Sequence, residues 1–213
     1  LGGVPHGISA EASGSLFISI GGATPRILRW APPSGLTEVT AGGLLDNPGG
    51  LELGPDGMLY VANTEARVAE HIWYGKILRV DPGTGAQTLV SQDPALFGPF
   101  DLTFGPDGFI WTANQGWLSG RNGCHVRTDP VTGASTTAGL GFCRSMGLAR
   151  GADGRMLLSD CATIGPDCNT PVVGFSLGSP SYGWLGGKLA VVPNDVVTPT
   201  SRSSWGRLKA IYR

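Results

Sequence analysis

One short pattern is written twice in this chain. Leu51–Asn63 reads LELGPDGMLYVAN and Leu102–Asn114 reads LTFGPDGFIWTAN. Aligning on the shared turn brings out two weaker copies, so that four segments begin at Pro5 (PHGISAEASGSLFISI), Pro48 (PGGLELGPDGMLYVAN), Pro99 (PFDLTFGPDGFIWTAN) and Ser145 (SMGLARGADGRMLLSD). From Pro5 to Pro48 is 43 residues, from Pro48 to Pro99 is 51, and from Pro99 to Ser145 is 46. Periods of about 20–50 residues belong to solenoids, propellers and arrays, in which one supersecondary unit stacks on copies of itself.

Each unit carries the physics of a hairpin. In Gly54-Pro55-Asp56-Gly57 the proline presets φ at the first corner, Asp tolerates the second, and Gly takes the positive φ that re-enters the strand. Gly105-Pro106-Asp107-Gly108 repeats that chemistry, and Gly151-Ala152-Asp153-Gly154 keeps a weakened form. A second turn recurs in phase with the first: APPSG from Ala31, DPGTG from Asp81 and DPVTG from Asp129, each after a β-prone run (ILRW, ILRV, HVRT). Each repeat therefore holds four strands, A to D. Four-stranded units repeated radially describe the blades of a β-propeller. A sandwich would have to keep two unrelated turn motifs in phase by coincidence. The fold class expected is all-β, with about four propeller blades over 5–47, 48–98, 99–144 and 145–190.

Composition agrees and excludes other classes. The 213 residues include 35 Gly and 16 Pro, a supply of turn formers, with a hydrophobic fraction of 41% that is too high for a disordered polymer. A net charge of -1 with 15% charged residues offers no field to attract nucleic acid. No stretch approaches the roughly 18 apolar residues of a membrane helix.

GPDGMLYVAN and GPDGFIWTAN, with strands such as ILRVDPGTG, resemble the NHL-repeat and regucalcin/gluconolactonase group of propellers, and VPHGISAEASGSLFIS resembles blades of streptogramin lyase. The resemblance covers roughly residues 4–190. It implies a ring of six or seven blades, so further blades upstream of Leu1 are expected. In function it implies little, because such blades serve lactonases, lyases and binding modules alike.

Strand alternation places the two tight turns on one face and the variable B-to-C connections on the other, where binding is expected. The channel-mouth positions by alignment are His6, Gly49, Phe100 and Met146, followed by Gly7, Gly50, Asp101 and Gly147. At the ends of the B strands stand Ile20, Asn63, Asn114 and Asp160, with Glu65 and Gln115 just beyond. The resemblance to lactonases implies a divalent cation such as Ca²⁺ held by oxygen ligands, for which Asn63, Asp101, Asn114 and Asp160 are the candidates. Against it, the inner strands have no PNG, and Asp101 falls one place later than the family's ligand. Asx residues at strand ends equally serve to bond their own loop backbone. The lyase reading asks for a histidine paired with an acid. His6 is at the mouth, His71 in the longest loop, His125 in a C strand, and none has an identified partner in the sequence. Trp73, Tyr74 and Trp117 in the long loops are suited to a sugar, peptide or small-molecule ligand, or alternatively to pinning those loops.

Four cysteines allow three pairings. Cys161 with Cys168 would close the loop CATIGPDC, and Cys124 with Cys143 would tie the start of a C strand to the exit of a D strand. Disulfides place the protein in an oxidising compartment, secreted or periplasmic. Residues 191–213 form a Pro/Thr/Ser linker and a basic end with Arg202, Arg207, Lys209 and Arg213. The expectation from sequence is an exported binding or interaction module acting through the variable face. The alternative is a metal-assisted lactonase or lyase.

Overall fold

Both GPDG turns close as their residues dictate. Gly54 N–H donates to Met58 O at 2.8 Å and Gly57 N–H to Gly54 O at 3.0 Å, with Gly57 at φ 75°. The Gly105–Gly108 turn repeats these bonds at 2.8 and 3.1 Å, with Gly108 at φ 79°. The computed structural model of the protein describes residues 3–64, 74–115, 123–142, 145–150, 156–161, 175–176 and 187–192.

Among the described residues all regular structure is β. The first sheet is an antiparallel meander of β1 (Val4–Ala10), β2 (Leu16–Gly21), β3 (Arg26–Ala31) and β4 (Gly35–Ala41). The second repeats it with β5 (Asn47–Leu53), β6 (Leu59–Thr64), β7 (Gly75–Val80) and β8 (Gln87–Ser91). The third is β9 (Pro99–Phe104), β10 (Ile110–Asn114), β11 (Gly123–Thr128) and β12 (Ser135–Phe142).

The fourth sheet corrects the expected A-to-D order. Its strands are β13 (Ser145–Arg150), β14 (Met156–Cys161), β15 (Phe175–Ser176) and β16 (Gly187–Val192), arranged β13-β14-β16-β15. β16 pairs with β14 from Met156↔Val192 to Cys161↔Gly187, whereas β15 is two residues long and pairs only with β16. The β-rich GKLAVV run satisfies a full ladder that FS cannot, so it holds the interior place although it comes last in sequence. The third strand thus reaches two residues into the segment expected to be tail, and residues 193–213 lie outside the described residues.

Inner strands β1, β5, β9 and β13 pack side by side in succession. Between neighbouring sheets lie three cores. Phe17, Ile27, Leu51, Leu59, Val61, Leu78 and Val80 fill the first gap; Tyr60, Ala62, Ile77, Leu102, Phe104, Ile110 and Val126 the second; Trp111, Ala113, Leu148, Met156 and Leu158 the third. β6 shows how one strand serves two gaps. Leu59 and Val61 face the preceding blade, Tyr60 and Ala62 the following one, and all four are buried. A period of two on a sheet covered on both sides produces this. Each blade accordingly has a leading face toward its predecessor and a trailing face toward its successor.

Polar stitches cross the gaps at a spacing near the repeat period. Ser9 Oγ accepts from Leu53 N–H at 3.3 Å, and Glu52 Oε2 from Phe104 N–H at 3.0 Å. Beneath the turns an arginine from the third strand meets the turn's acid. Arg79 reaches Asp56 at 2.9 Å, Arg127 reaches Asp107 at 2.8 Å, and Arg29 reaches Glu11 at 2.6 Å.

Candidate functional site

The end of the inner strands opposite the GPDG turns is where the repeats stop agreeing. Blade 2 has Gly49 where the others have His6, Phe100 and Met146. A Cβ at Gly49 would collide with the carbonyl oxygen of Phe100, so the close approach of β5 to β9 requires glycine there. Without a side chain on blade 2, His6 of blade 1 reaches across to Phe100 of blade 3, with ring centroids 6.3 Å apart and planes at 37°. His6 Nδ1 lies 2.9 Å from Pro48 O. A carbonyl only accepts, so Nδ1 carries the proton and Nε2 of the neutral ring is left as an acceptor. On the other flank, Gln115 Nε2 donates to Met146 Sδ at 3.3 Å, and Gln115 N–H to Gly98 O at 3.1 Å. His6, Phe100, Met146 and Gln115 are all half-buried, each with surface to offer a ligand.

Asp101 stands on the trailing side of β9, where the other inner strands have Gly7, Gly50 and Gly147. Its Oδ2 accepts from Leu148 N–H of blade 4 at 2.8 Å, and its Oδ1 from Leu102 N–H at 2.9 Å. A Cβ on Gly50 would collide with Oδ1, so the carboxylate occupies space that the preceding glycine leaves open. Burial pushes its pKa up to about 6, opposed by the two backbone amides and reinforced by the charge of Glu52. Two bonds that favour the charged form do not outweigh desolvation here. A carboxyl raised toward neutral pH by burial makes Asp101 a candidate functional residue.

Asn63 and Asn114 occupy the same place in their repeats but are spent differently. Both are fully buried. Asn63 Oδ1 accepts from Asp46 N–H at 3.0 Å, and its Nδ2 donates to Asp46 Oδ2 at 3.2 Å, an oxygen that also pairs with Lys76 Nζ at 2.7 Å. Asn114 Nδ2 points back into its own sheet, 3.0 Å from Thr112 Oγ1 and 3.4 Å from Cys124 O, and its Oδ1 is buried without a hydrogen-bond partner. A divalent cation of the Ca²⁺ type takes six or more oxygens. Of the four candidates, Asn63 is engaged with Asp46, each Asp101 oxygen already holds one backbone amide, Asn114 offers a single buried carbonyl, and the Asp160 side chain lies outside the described residues. No group of three or more His, Cys, Asp or Glu among the described residues could hold a metal ion.

The remaining expected residues separate. Tyr74 forms an isolated bridge with Phe97 and packs its ring on it, centroids 5.7 Å apart, which pins the loop end to the next blade's entry. His125 is fully buried in β11, and burial pulls its pKa down to about 4, so it is neutral scaffold. Cys124 is buried in the core between blades 2 and 3. The Asp160 backbone pairs with Ser145 and Lys188. Glu65, His71, Trp73, Trp117, Cys143 and Cys168, and the side chains of Asp160 and Cys161, lie outside the described residues. Sequence reading missed the Asp46–Lys76 pair and Ser19, whose hydroxyl accepts from Gly7 N–H at 2.9 Å and donates to Gly49 O. The Asp46-Asn47-Pro48 sequence just before the repeat was the available signal for the first; Ser19 had none.

No protein-family model and no curated protein sequence matches the chain. Solved structures do. The nidogen structure in its laminin complex superposes with a TM-score of 0.62 at 13% identity, over 75% of this chain and 58% of that one. The chain is an arc of β-propeller blades. It is similar in fold to the gluconolactonase XC5397 of Xanthomonas campestris, with a TM-score of 0.54 at 17% identity over 73% of this chain and 54% of that one. It is also similar to virginiamycin B lyase of Staphylococcus aureus solved with quinupristin, at 0.53 and 17% over 74% and 49%. The arc thus spans about half the length of the propellers it matches.

Proposed function

We propose that this propeller binds a small-molecule or peptide ligand across the ends of its inner strands, with the His6–Phe100 pair and the Met146–Gln115 pair as the two flanks of the contact surface. The observation that carries this reading is the fate of the mouth side chains. His6, Phe100, Met146 and Gln115 keep exposed surface, while the Asn63 and Asn114 amides that a catalytic cation would need are buried. An aromatic ring beside an imidazole acceptor and a thioether beside an amide suit a ligand with a flat apolar part and a few hydrogen-bonding groups.

A second reading is an enzyme that transfers a proton through Asp101. It is favoured by the carboxyl raised to about 6 and by the lactonase and the lyase among the folds the arc resembles. The two readings separate in one experiment. The protein is titrated by calorimetry with Ca²⁺, Mg²⁺ and Zn²⁺, then with panels of sugars, short peptides and lactones, and assayed for lactone turnover. Binding expects a ligand whose affinity falls by about 30-fold or more in Phe100→Ala, the usual cost of truncating a central aromatic anchor. Lactone turnover abolished by Asp101→Ala and retained in Phe100→Ala would replace binding with catalysis.

A further inference from the structure

We infer that the mouth takes a cation, the charged end of a protonated amine seated on the face of Phe100 beside His6 Nε2, with its apolar body toward Met146. This rests on the binding role proposed above for the same surface. Three properties of the mouth point to a cation, and the first is charge. Asp101 follows Phe100 on β9, and the charge of Glu52 on neighbouring β5 reaches it. Both acids are held by backbone amides, Asp101 by Leu102 and Leu148 and Glu52 by Phe104. No lysine or arginine among the described residues pairs with either, whereas Glu11, Asp46, Asp56 and Asp107 each hold one. Raised to about 6, Asp101 is still ionised above neutral pH. Amide dipoles stabilise a carboxylate without cancelling its charge, so the inner strands carry a negative field. Arg26 and Lys76 stand at the start of third strands, two strand spacings or about 10 Å out, and Lys76 is spent on Asp46.

The second property is hydrogen-bond polarity. His6 gives its one ring proton to Pro48 O, so Nε2 can only accept, and it reaches solvent. A thioether has no proton to give, so the Gln115 amide turns its nitrogen to Met146 Sδ and leaves Oε1 as an open acceptor. The side-chain donors that remain here belong to the neutral amides of Gln115 and of Asn47, whose Oδ1 lies beside the His6 ring over Gly21. Neither carries a charge to match an anion.

The third is the Phe100 ring itself. It is half-buried, and the His6 ring, tilted by 37° at 6.3 Å, does not stack on its face. An aromatic face is the negative side of the ring's quadrupole and attracts an ammonium within about 6 Å of its centre. The thioether of Met146 on the next inner strand is a soft apolar wall for the rest of the ligand. An anion is disfavoured on all three counts, a neutral ligand uses only the apolar surface and the acceptors, and an ammonium uses everything the mouth offers.

The test titrates the full chain, slightly above neutral pH and at low salt, with three probes of one shape: benzylammonium, benzyl alcohol and benzoate. Binding is read from the NMR signals of the Met146 methyl group and the His6 Cε1–H. Benzylammonium is expected to move both signals saturably and to bind about tenfold tighter than benzyl alcohol, with benzoate leaving them in place and the preference shrinking in concentrated salt. Asp101→Asn should remove most of the preference for the ammonium and leave the affinity for benzyl alcohol unchanged. If that variant does not fold, Glu52→Gln, which keeps an acceptor for Phe104 N–H, is expected to weaken the preference in the same way. Nα-acetyl-lysine methylamide, run in parallel, separates the sources of the amine: tighter binding than benzylammonium assigns it to a peptide lysine, weaker binding to a free small molecule. Benzyl alcohol or benzoate binding as tightly as benzylammonium, or a preference that both carboxylate variants leave untouched, would overturn the cation and leave the binding role standing. Silence of both signals toward all four probes would overturn both.

Discussion

The two ends of each inner strand are built by opposite rules. At the turn end, blades 2 and 3 are near-copies. Asp56 and Asp107 each accept from the backbone two residues on at 3.2 Å, each bind an arginine, and each receive a ring donor, Tyr60 Oη at 3.1 Å in one case and Trp111 Nε1 at 3.4 Å in the other. For both acids partial burial acts to raise the pKa, but the amide and arginine bonds hold it below the usual carboxylate range. At the mouth end, the same strands carry Gly50 against Asp101 and Gly49 against Phe100, and Asp101 is pushed up rather than down. The turn end is locally satisfied and therefore repeatable. The mouth end is satisfied in part through neighbouring blades, as in the His6–Pro48 and Asp101–Leu148 bonds, which leaves it free to differ from repeat to repeat.

The sharpest way to break this contrast is acid. Asp101 is raised to about 6, so the folded state holds a proton that the unfolded chain releases, and its contribution makes folding more favourable as pH falls from 6. His125 is lowered to about 4, so the unfolded chain takes up the proton instead, and its contribution makes folding less favourable over the same interval. The two offset between pH 6 and about 4.5, while the acids with lowered pKa values lose their contribution only below that range. Denaturant melts should therefore be nearly flat there for the natural sequence. In Asp101→Asn they should fall by about 2 kcal/mol on acidification, one unit of pKa difference being worth about 1.4 kcal/mol. An equal slope in both proteins would show that Asp101 is solvated.

Glycine replacement sharpens the comparison next. At the mouth, Gly50→Ala places a Cβ against Asp101 Oδ1 and 2.9 Å from Asp101 Cα, an overpacking cost of about 1–3 kcal/mol. At the turn, Gly57 has φ 75° and nothing within 4 Å of a Cβ, so Gly57→Ala meets only backbone strain of about 1 kcal/mol. Thermal melts should rank them in that order. Asp101→Ala should recover part of the first loss and none of the second.

The smallest effect belongs to the repeated ion pairs. Asp107 and Arg127 keep about a third of their side-chain surface exposed, so Asp107→Ala should cost about 1 kcal/mol or less beyond its lost turn bond. That cost should shrink further in concentrated salt, whereas the Gly50→Ala cost should not.

The sequence by itself determined the strands, the tight turns and the four-fold repeat, because each depends on groups close along the chain. The Asp56 and Asp107 bonds span two residues, and the positive φ of Gly57, Gly108, Gly85 and Gly133 is a property of one. Tertiary structure alone decided that Asn63 closes on Asp46 while Asn114 turns inward, that β16 displaces β15 from the interior of the fourth sheet, and that Asp101 is desolvated against Leu148. The bonds that join His6 to Pro48, Asp101 to Leu148 and Glu52 to Phe104 span 42, 47 and 52 residues. Those separations match the length of one blade, and which polar group is buried, bonded or left open at such a distance is set by how closely the neighbouring blade packs.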